Sequence, residues 1–251
     1  MSKNFIRFEI GLVLLLSLGT SALVSLLRFA EALLSPKGIG GTTTKLNPTQ
    51  SRAEFFDFSY QLIGILFAVA PAILVLYLLR RESEKAFDEI GIWPISRTKD
   101  LLRGLALAAV IGIPGLALYV SARALGLAAQ VVPADLSGYW WTVPMLLLSA
   151  VRAAIQEEVI MVAYLYKRFD QLGLKFVHQQ LISSTIRALY HSYQGFAGIV
   201  GNFVMGLIFG WAYRKWGRVM PLILAHFFLD AVSFVGYALL AKQLASLGGI
   251  F

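Results

Sequence analysis

Apolar runs recur along almost the whole chain, separated by short polar segments rich in Gly, Pro, Lys and Arg. About 20 apolar residues wound into a helix cross a hydrocarbon layer of ~30 Å. The pattern predicts seven such helices, over residues 8–33, 58–79, 102–124, 141–166, 177–193, 196–213 and 219–241. The expected fold is therefore all-α, a polytopic membrane bundle of about seven transmembrane helices. The first run follows basic residues, as the apolar core of a signal peptide does, but it is too long and further spans follow, so it reads as a retained helix. Pro71 and Pro114 fall inside spans and predict kinks, whereas Pro144 and Pro221 fall near helix starts, where a missing N–H is tolerated. Gly206 and Gly210 have the spacing of close helix packing. Residues 38–52 read as a flexible external loop, and residues 80–100 as a charged cytoplasmic connector with an amphipathic portion.

Composition supports this reading. Of 251 residues, 58% are hydrophobic and 14% charged, with a mean hydropathy of +0.71, whereas soluble domains carry about 25% charged residues. The net charge of +8 would suggest a nucleic-acid partner in a soluble protein, but its distribution points to the lipid bilayer. With the N-terminus inside, fourteen basic residues fall at cytoplasmic ends and six outside, the bias expected of an N-in, C-out topology. Arg152 and Arg187 remain within spans. The chain has no cysteine, which excludes disulfides, thiolate nucleophiles and Cys-ligated metals.

Ionisable groups at membrane depth are the informative exception. Arg152, Glu157, Glu158, Arg187, His191, His226 and Asp230 all fall in the C-terminal four spans. Each charge near a bilayer centre costs roughly 2.5–3.5 kcal/mol, so such groups are expected to face one another in a polar interior. A rise of about 1.5 Å per residue places Glu157 about 14 Å, His191 about 20 Å, His226 about 10 Å and Asp230 about 16 Å from the cytoplasmic ends of their helices. His226 and Asp230 share a helix face, as do Arg187 and His191. Glu157 and Glu158 point about 100° apart, so only one is expected to aim squarely at the centre. Two chemistries are open: a glutamate activating water with the imidazoles and Asp230 as polar partners, or a zinc held by His191, His226 and either Glu157 or Glu158. Simpler roles are assigned to other residues. An ion pair with Arg152 is the structural alternative for the Glu pair, His178 reads as a solvated edge residue, and Tyr190, Gln194 and Asn202 read as packing or interfacial groups. Trp140 and Trp141 read together as an interfacial anchor.

At these residues the chain resembles the CPBP family of intramembrane proteases, which includes type II CAAX prenyl endopeptidases and the bacterial Abi proteins of bacteriocin processing and immunity. The resemblance extends over roughly residues 98–240. The family's EExxxR motif is represented by Glu157-Glu158, with Val162 at the position of the Arg. Its FxxxH motif is represented by Arg187 to His191, with Arg187 at the position of the Phe, and its third motif, His followed four residues later by Asn or Asp, is matched by His226 and Asp230. The resemblance implies that Glu157 is the water-activating base, Glu158 a supporting carboxylate, and His191, His226 and Asp230 the polar partners. Arg187 is the candidate replacement for the lost Arg as an auxiliary residue. It implies a peptide or membrane-protein substrate and a multi-pass protein of a bacterial cell membrane. The division expected is N-terminal helices and connector over 1–97, a protease core over 98–241 with its cavity among the last four helices, and a tail over 242–251. A non-catalytic peptide-binding immunity protein and a proton-coupled carrier are the competing readings.

Overall fold

The apolar runs fold as helical rods. In the computed structural model, which describes residues 2–136 and 138–245 and side chains as far as residue 240, α1 (Lys3–Leu14) passes through a π turn at Leu15–Gly19 into α2 (Thr20–Leu34). Next come α3 (Glu54–Glu82), the single turn α4 (Ala86–Glu89) and α5 (Arg97–Ala124). The remaining helices are α6 (Thr142–Glu158), which continues through a π segment Val159–Tyr164 into α7 (Leu165–Leu172), then α8 (Phe176–Tyr190), α9 (Phe196–Trp216) and α10 (Met220–Ala245). Most of the expected tail, 242–251, lies outside the described residues.

Five rods, Lys3–Leu34, Glu54–Glu82, Arg97–Ala124, Phe196–Trp216 and Met220–Leu240, are long and apolar enough to cross a membrane. Their outward faces carry large apolar side chains: Leu16, Leu27, Phe67 and Ile113 are 63, 71, 75 and 73% exposed. Surfaces of this kind are stable against lipid rather than water, so the chain is a multi-pass membrane protein. The other two predicted spans depart from this pattern. The α6 rod has Arg152, Glu157 and Glu158 within it, and α8 has 15 residues, about 22 Å. These two helices carry much of the polar cluster.

The α6 rod is the centre of the bundle. Every residue from 156 to 166 is buried, and the rod packs against α3, α8, α9 and α10. The two glycines on α9 allow close approach: a Cβ at Gly206 would stand 2.7 Å from Ser184 Oγ on α8, and one at Gly210 would overlap Tyr166 on α7. At the far end of the rod, Arg168 is sealed from solvent. Its Nε donates to Glu9 Oε1 at 2.7 Å and its Nη1 to Glu82 Oε2 at 2.6 Å, joining α1, α3 and α7. Sequence placed Arg168 among the loop charges, and its burial is a finding of the structure. Nearby, Arg218 pairs with the buried Asp100 at 2.7 Å, and the Val219 N–H donates to the Ile90 carbonyl, seating the connector under α10.

Residues 38–52 are not the free loop their composition suggests. β1 (Thr43–Lys45) pairs in parallel with β2 (Gln130–Val132), with Thr43 opposite Gln130. Lys45 reaches Asp135 at 2.6 Å, and Arg123 Nη1 donates to the carbonyls of Gly40 and Ala128 at 2.9 and 2.8 Å. Each strand is three residues long, too short to show alternation, and its partner is far away in sequence. Trp140 and Trp141 do not act as a pair. Trp140 is 81% exposed, whereas Trp141 is buried, stacks on Tyr139 and donates through Nε1 to Glu54 at 3.3 Å.

Candidate active site

Glu157 and Glu158 are the last two residues of α6 and lead directly into the π segment, a wide turn that is frequent at functional sites. Contrary to the expectation that only one would face the centre, both carboxylates engage the same partner. Arg187 lies between them on α8: its Nη2 donates to both Glu158 oxygens at 2.8 Å, and its Nη1 donates to Glu157 Oε2 at 3.2 Å. A guanidinium has five donors in a planar fork, so one cation can serve two carboxylates 100° apart on a helix. Its outer face rests on the Phe209 ring, 5.6 Å from the centroid. Phe209 belongs to the same buried apolar cluster as Val162, the position where the family motif has its Arg.

The two carboxylates have different surroundings. Glu158 is completely buried, and its Oε1 also lies 2.7 Å from His226 Nδ1. The other ring nitrogen of His226, Nε2, faces Asp230 Oδ2 at 3.6 Å. Glu157 is 9% exposed. The Tyr190 hydroxyl donates to its Oε2 at 2.8 Å, and His191 Nε2 is 3.6 Å from the same oxygen. Among the described residues its Oε1 receives no hydrogen bond. The side chains of Glu157, His191 and Asp230 are 12, 17 and 23% exposed, whereas those of Glu158 and Arg187 are at most 1%. The cluster thus has an accessible layer, Glu157, His191 and Asp230, set on a sealed base of Glu158 and Arg187 with His226 between.

His191 is held by a turn rather than by a helix. It caps α8, a 3₁₀ turn Ser192–Gln194 follows, and Gly195 adopts φ 88°. A Cβ at Gly195 would meet the Leu127 carbonyl oxygen at 2.8 Å, so position 195 requires glycine for both conformation and space. The outer loop closes over this turn: Ala129 N–H donates to the Gln194 carbonyl and Phe196 N–H to the Leu127 carbonyl. From the other side, Ser25 Oγ on α2 donates to the Tyr190 carbonyl at 2.9 Å. Gln194 Nε2 lies 3.5 Å from His191 Nδ1, close enough to orient the ring. Asn202 bonds back to the Gly198 carbonyl of its own helix, and His178 is exposed. Arg152 makes no ion pair with the Glu pair.

Glu157, Glu158 and His226 bring three potential metal-ligand atoms within 4.8 Å of one another. His191, part of the expected zinc set, is not in that group. A zinc would need carboxylate oxygens at about 2.0–2.2 Å. Glu157 Oε2 and both oxygens of Glu158 are already hydrogen-bonded to the Arg187 guanidinium, which would repel a dication held by the same atoms. Of the carboxylate oxygens in this trio, only Glu157 Oε1 is not engaged by Arg187.

The fold and site together define a membrane-embedded helical bundle with a buried carboxylate–imidazole cluster. Within this chain, residues 139–232 match the family described as Type II CAAX prenyl endopeptidase Rce1-like. The matched stretch contains Glu157, Glu158, Arg187, His191, His226 and Asp230, and the similarity is in line with the CPBP resemblance. No curated protein and no solved structure matches the chain.

Proposed function

We propose that the protein is an intramembrane endopeptidase that hydrolyses a peptide bond with water activated by Glu157, without a metal. The observation supporting this reading is the pairing of an accessible carboxylate with a fully clamped one. Glu157 reaches the surface of the cluster with Oε1 free, while Glu158 is committed to Arg187 and His226. A water accepted between Glu157 Oε1 and His191 would lose a proton to Glu157 as its oxygen adds to the scissile carbonyl carbon. His191 would stabilise the oxyanion. Glu157 would then pass the proton to the departing nitrogen as the C–N bond breaks, yielding a carboxylic acid and an amine. His226, between Glu158 and Asp230, completes the cluster. The N-in orientation and a cell-membrane location rest on the charge distribution and on the family.

Detergent-purified protein is expected to cleave members of a peptide library, with His191→Ala losing most of the activity and a metal chelator changing it less than about twofold. Activity restored only by added zinc would overturn the metal-free reading. A peptide-binding immunity role would be supported if the wild-type protein bound such peptides and released no product.

Tyr190 joins this cluster through Glu157, whereas its sequence context favoured packing or interfacial hydrogen bonding. Tyr190→Phe removes one hydrogen bond to Glu157 and leaves the ring in place. The expected result is a drop in kcat of about tenfold, with KM little changed, since a hydrogen bond to a charged group is worth roughly 1.5–3 kcal/mol. An unchanged kcat would assign the hydroxyl to structure.

A further inference from the structure

A second cavity lies away from the carboxylate cluster, at the end of the bundle where α8 begins and α9 finishes. Its volume is about 330 Å³, and it is lined by Phe176 on α8 and by Trp211, Arg214 and Lys215 on α9. Phe176 is the first residue of α8 and Arg187 the twelfth, about 16 Å further along the helix. The cations at the cavity are set over aromatic rings. Lys215 Nζ stands 4.7 Å from the Trp211 ring centroid, and the Arg214 guanidinium 5.3 Å from that of Phe176. Arg214 donates to both Asp170 oxygens and to Gln179 Oε1, which fixes its position and leaves part of its fork unused.

The charge here is unbalanced. Lys215 and Lys175, the residue before Phe176, are exposed, and among the described residues neither has a carboxylate within ion-pair distance. Lys167, Arg168 and Arg218 at the same end are instead paired with Glu89, Glu82 and Asp100. α8 begins with no side-chain cap, so the positive end of its dipole adds to the same field. Beside this cationic hollow the helix faces are apolar. Val200, Val204 and Trp211 are four and seven residues apart and share one side of α9. All three are exposed, as are Val177 and Leu181 on α8. Such faces meet acyl chains in a bilayer, while the charged residues of 167–175 and 214–218 mark its boundary with water. A small soluble anion would use only the cations. An amphiphile with an anionic head uses both parts.

We propose that this cavity holds the phosphate head group of an anionic phospholipid, with its acyl chains laid along the apolar faces of α8 and α9. Basic pockets between membrane helices recognise lipid head groups in this way. The site is independent of the endopeptidase reading. Lipid bound there braces α8, the helix that carries Arg187.

The test offers the purified protein, in detergent micelles, equal amounts of dioleoyl phosphatidylglycerol and dioleoyl phosphatidylcholine, which differ only in the head group. Native mass spectrometry counts the lipid retained. The wild-type protein is expected to favour phosphatidylglycerol by at least about tenfold, since two unpaired lysines face the head group. Lys175→Gln with Lys215→Gln should bring the preference to within about twofold of equality, and Lys215→Arg should preserve it. Both lysines are exposed, so the lipid-free Tm of the double variant should match that of the wild type, while phosphatidylglycerol should raise the Tm of the wild type more. Removing the same charge elsewhere, with Lys37→Gln and Arg52→Gln, should leave the preference intact. Equal retention of the two lipids by the wild type, an unchanged preference in the Lys175 and Lys215 variant, or an equal loss in the Lys37 and Arg52 variant would overturn the inference. Displacement of the lipid by inorganic phosphate alone would assign the cavity to a soluble anion and overturn it as well.

Discussion

Replacing Arg187 with Leu is expected to destabilise the protein by about 3–5 kcal/mol and to abolish its activity, because it leaves buried carboxylates without their counter-ion. Both Glu158 oxygens and Glu157 Oε2 take hydrogen bonds from this one guanidinium. Thermal unfolding in detergent should show a lowered Tm, and the loss should equal or exceed that of Glu158→Ala. Arg187→Lys keeps the charge but not the fork, so it should fall between the two. Val162 lies in the same buried cluster as Phe209, whose ring supports the guanidinium, and it follows Glu158 by four residues on the same rod. Val162→Arg introduced into Arg187→Leu should recover part of the stability, since a cation one turn from Glu158 can return to the carboxylates. An Arg187→Leu protein that melts and works like the wild type would show that the clamp is not needed.

The second large effect is expected at Glu157. Glu157→Gln is close to isosteric and can still accept the Tyr190 hydroxyl, so its Tm should change little. Arg187 keeps both oxygens of Glu158 as its partner, while the ability to take a proton from water is lost, and the loss of a general base lowers turnover by about 10²–10⁴-fold. Glu158→Gln should differ in kind. Its carboxylate is fully buried and shared by Arg187 and His226, so the change should lower stability as well as rate.

Much of this site could be read before the fold was known, because the membrane penalty makes each ionisable group informative. Glu157, His191, His226 and Asp230 stood out as ionisable groups at similar depth in apolar helices, with Glu158 and Arg187 beside them, and the structure brings all six into one connected cluster. The arrangement within the cluster was less legible. Helical spacing separates Glu157 from Glu158 by about 100°, and only the reach of Arg187 from α8 explains how both are used. Tyr190 could be named as a cavity residue but not given a role, because a tyrosine in an apolar helix ordinarily packs and its partner Glu157 lies 33 positions earlier. Arg168 looked like a loop charge because its partners Glu9 and Glu82 lie on other helices, 159 and 86 positions away. The outer strands were invisible for a similar reason, their pairing being set by contacts between two distant loops. Hydropathy identified the rods, and chemistry at depth identified the site. Long-range partners required coordinates.

The most direct test of the account is product formation from one cleavable peptide by wild-type and Glu157→Gln proteins, purified in parallel, matched in Tm and assayed in the presence of a metal chelator. The account predicts that the wild-type protein releases two fragments under these conditions and that Glu157→Gln falls at least about a hundredfold behind it. Equal cleavage by the two proteins, or wild-type cleavage that stops when metal is removed, would contradict it.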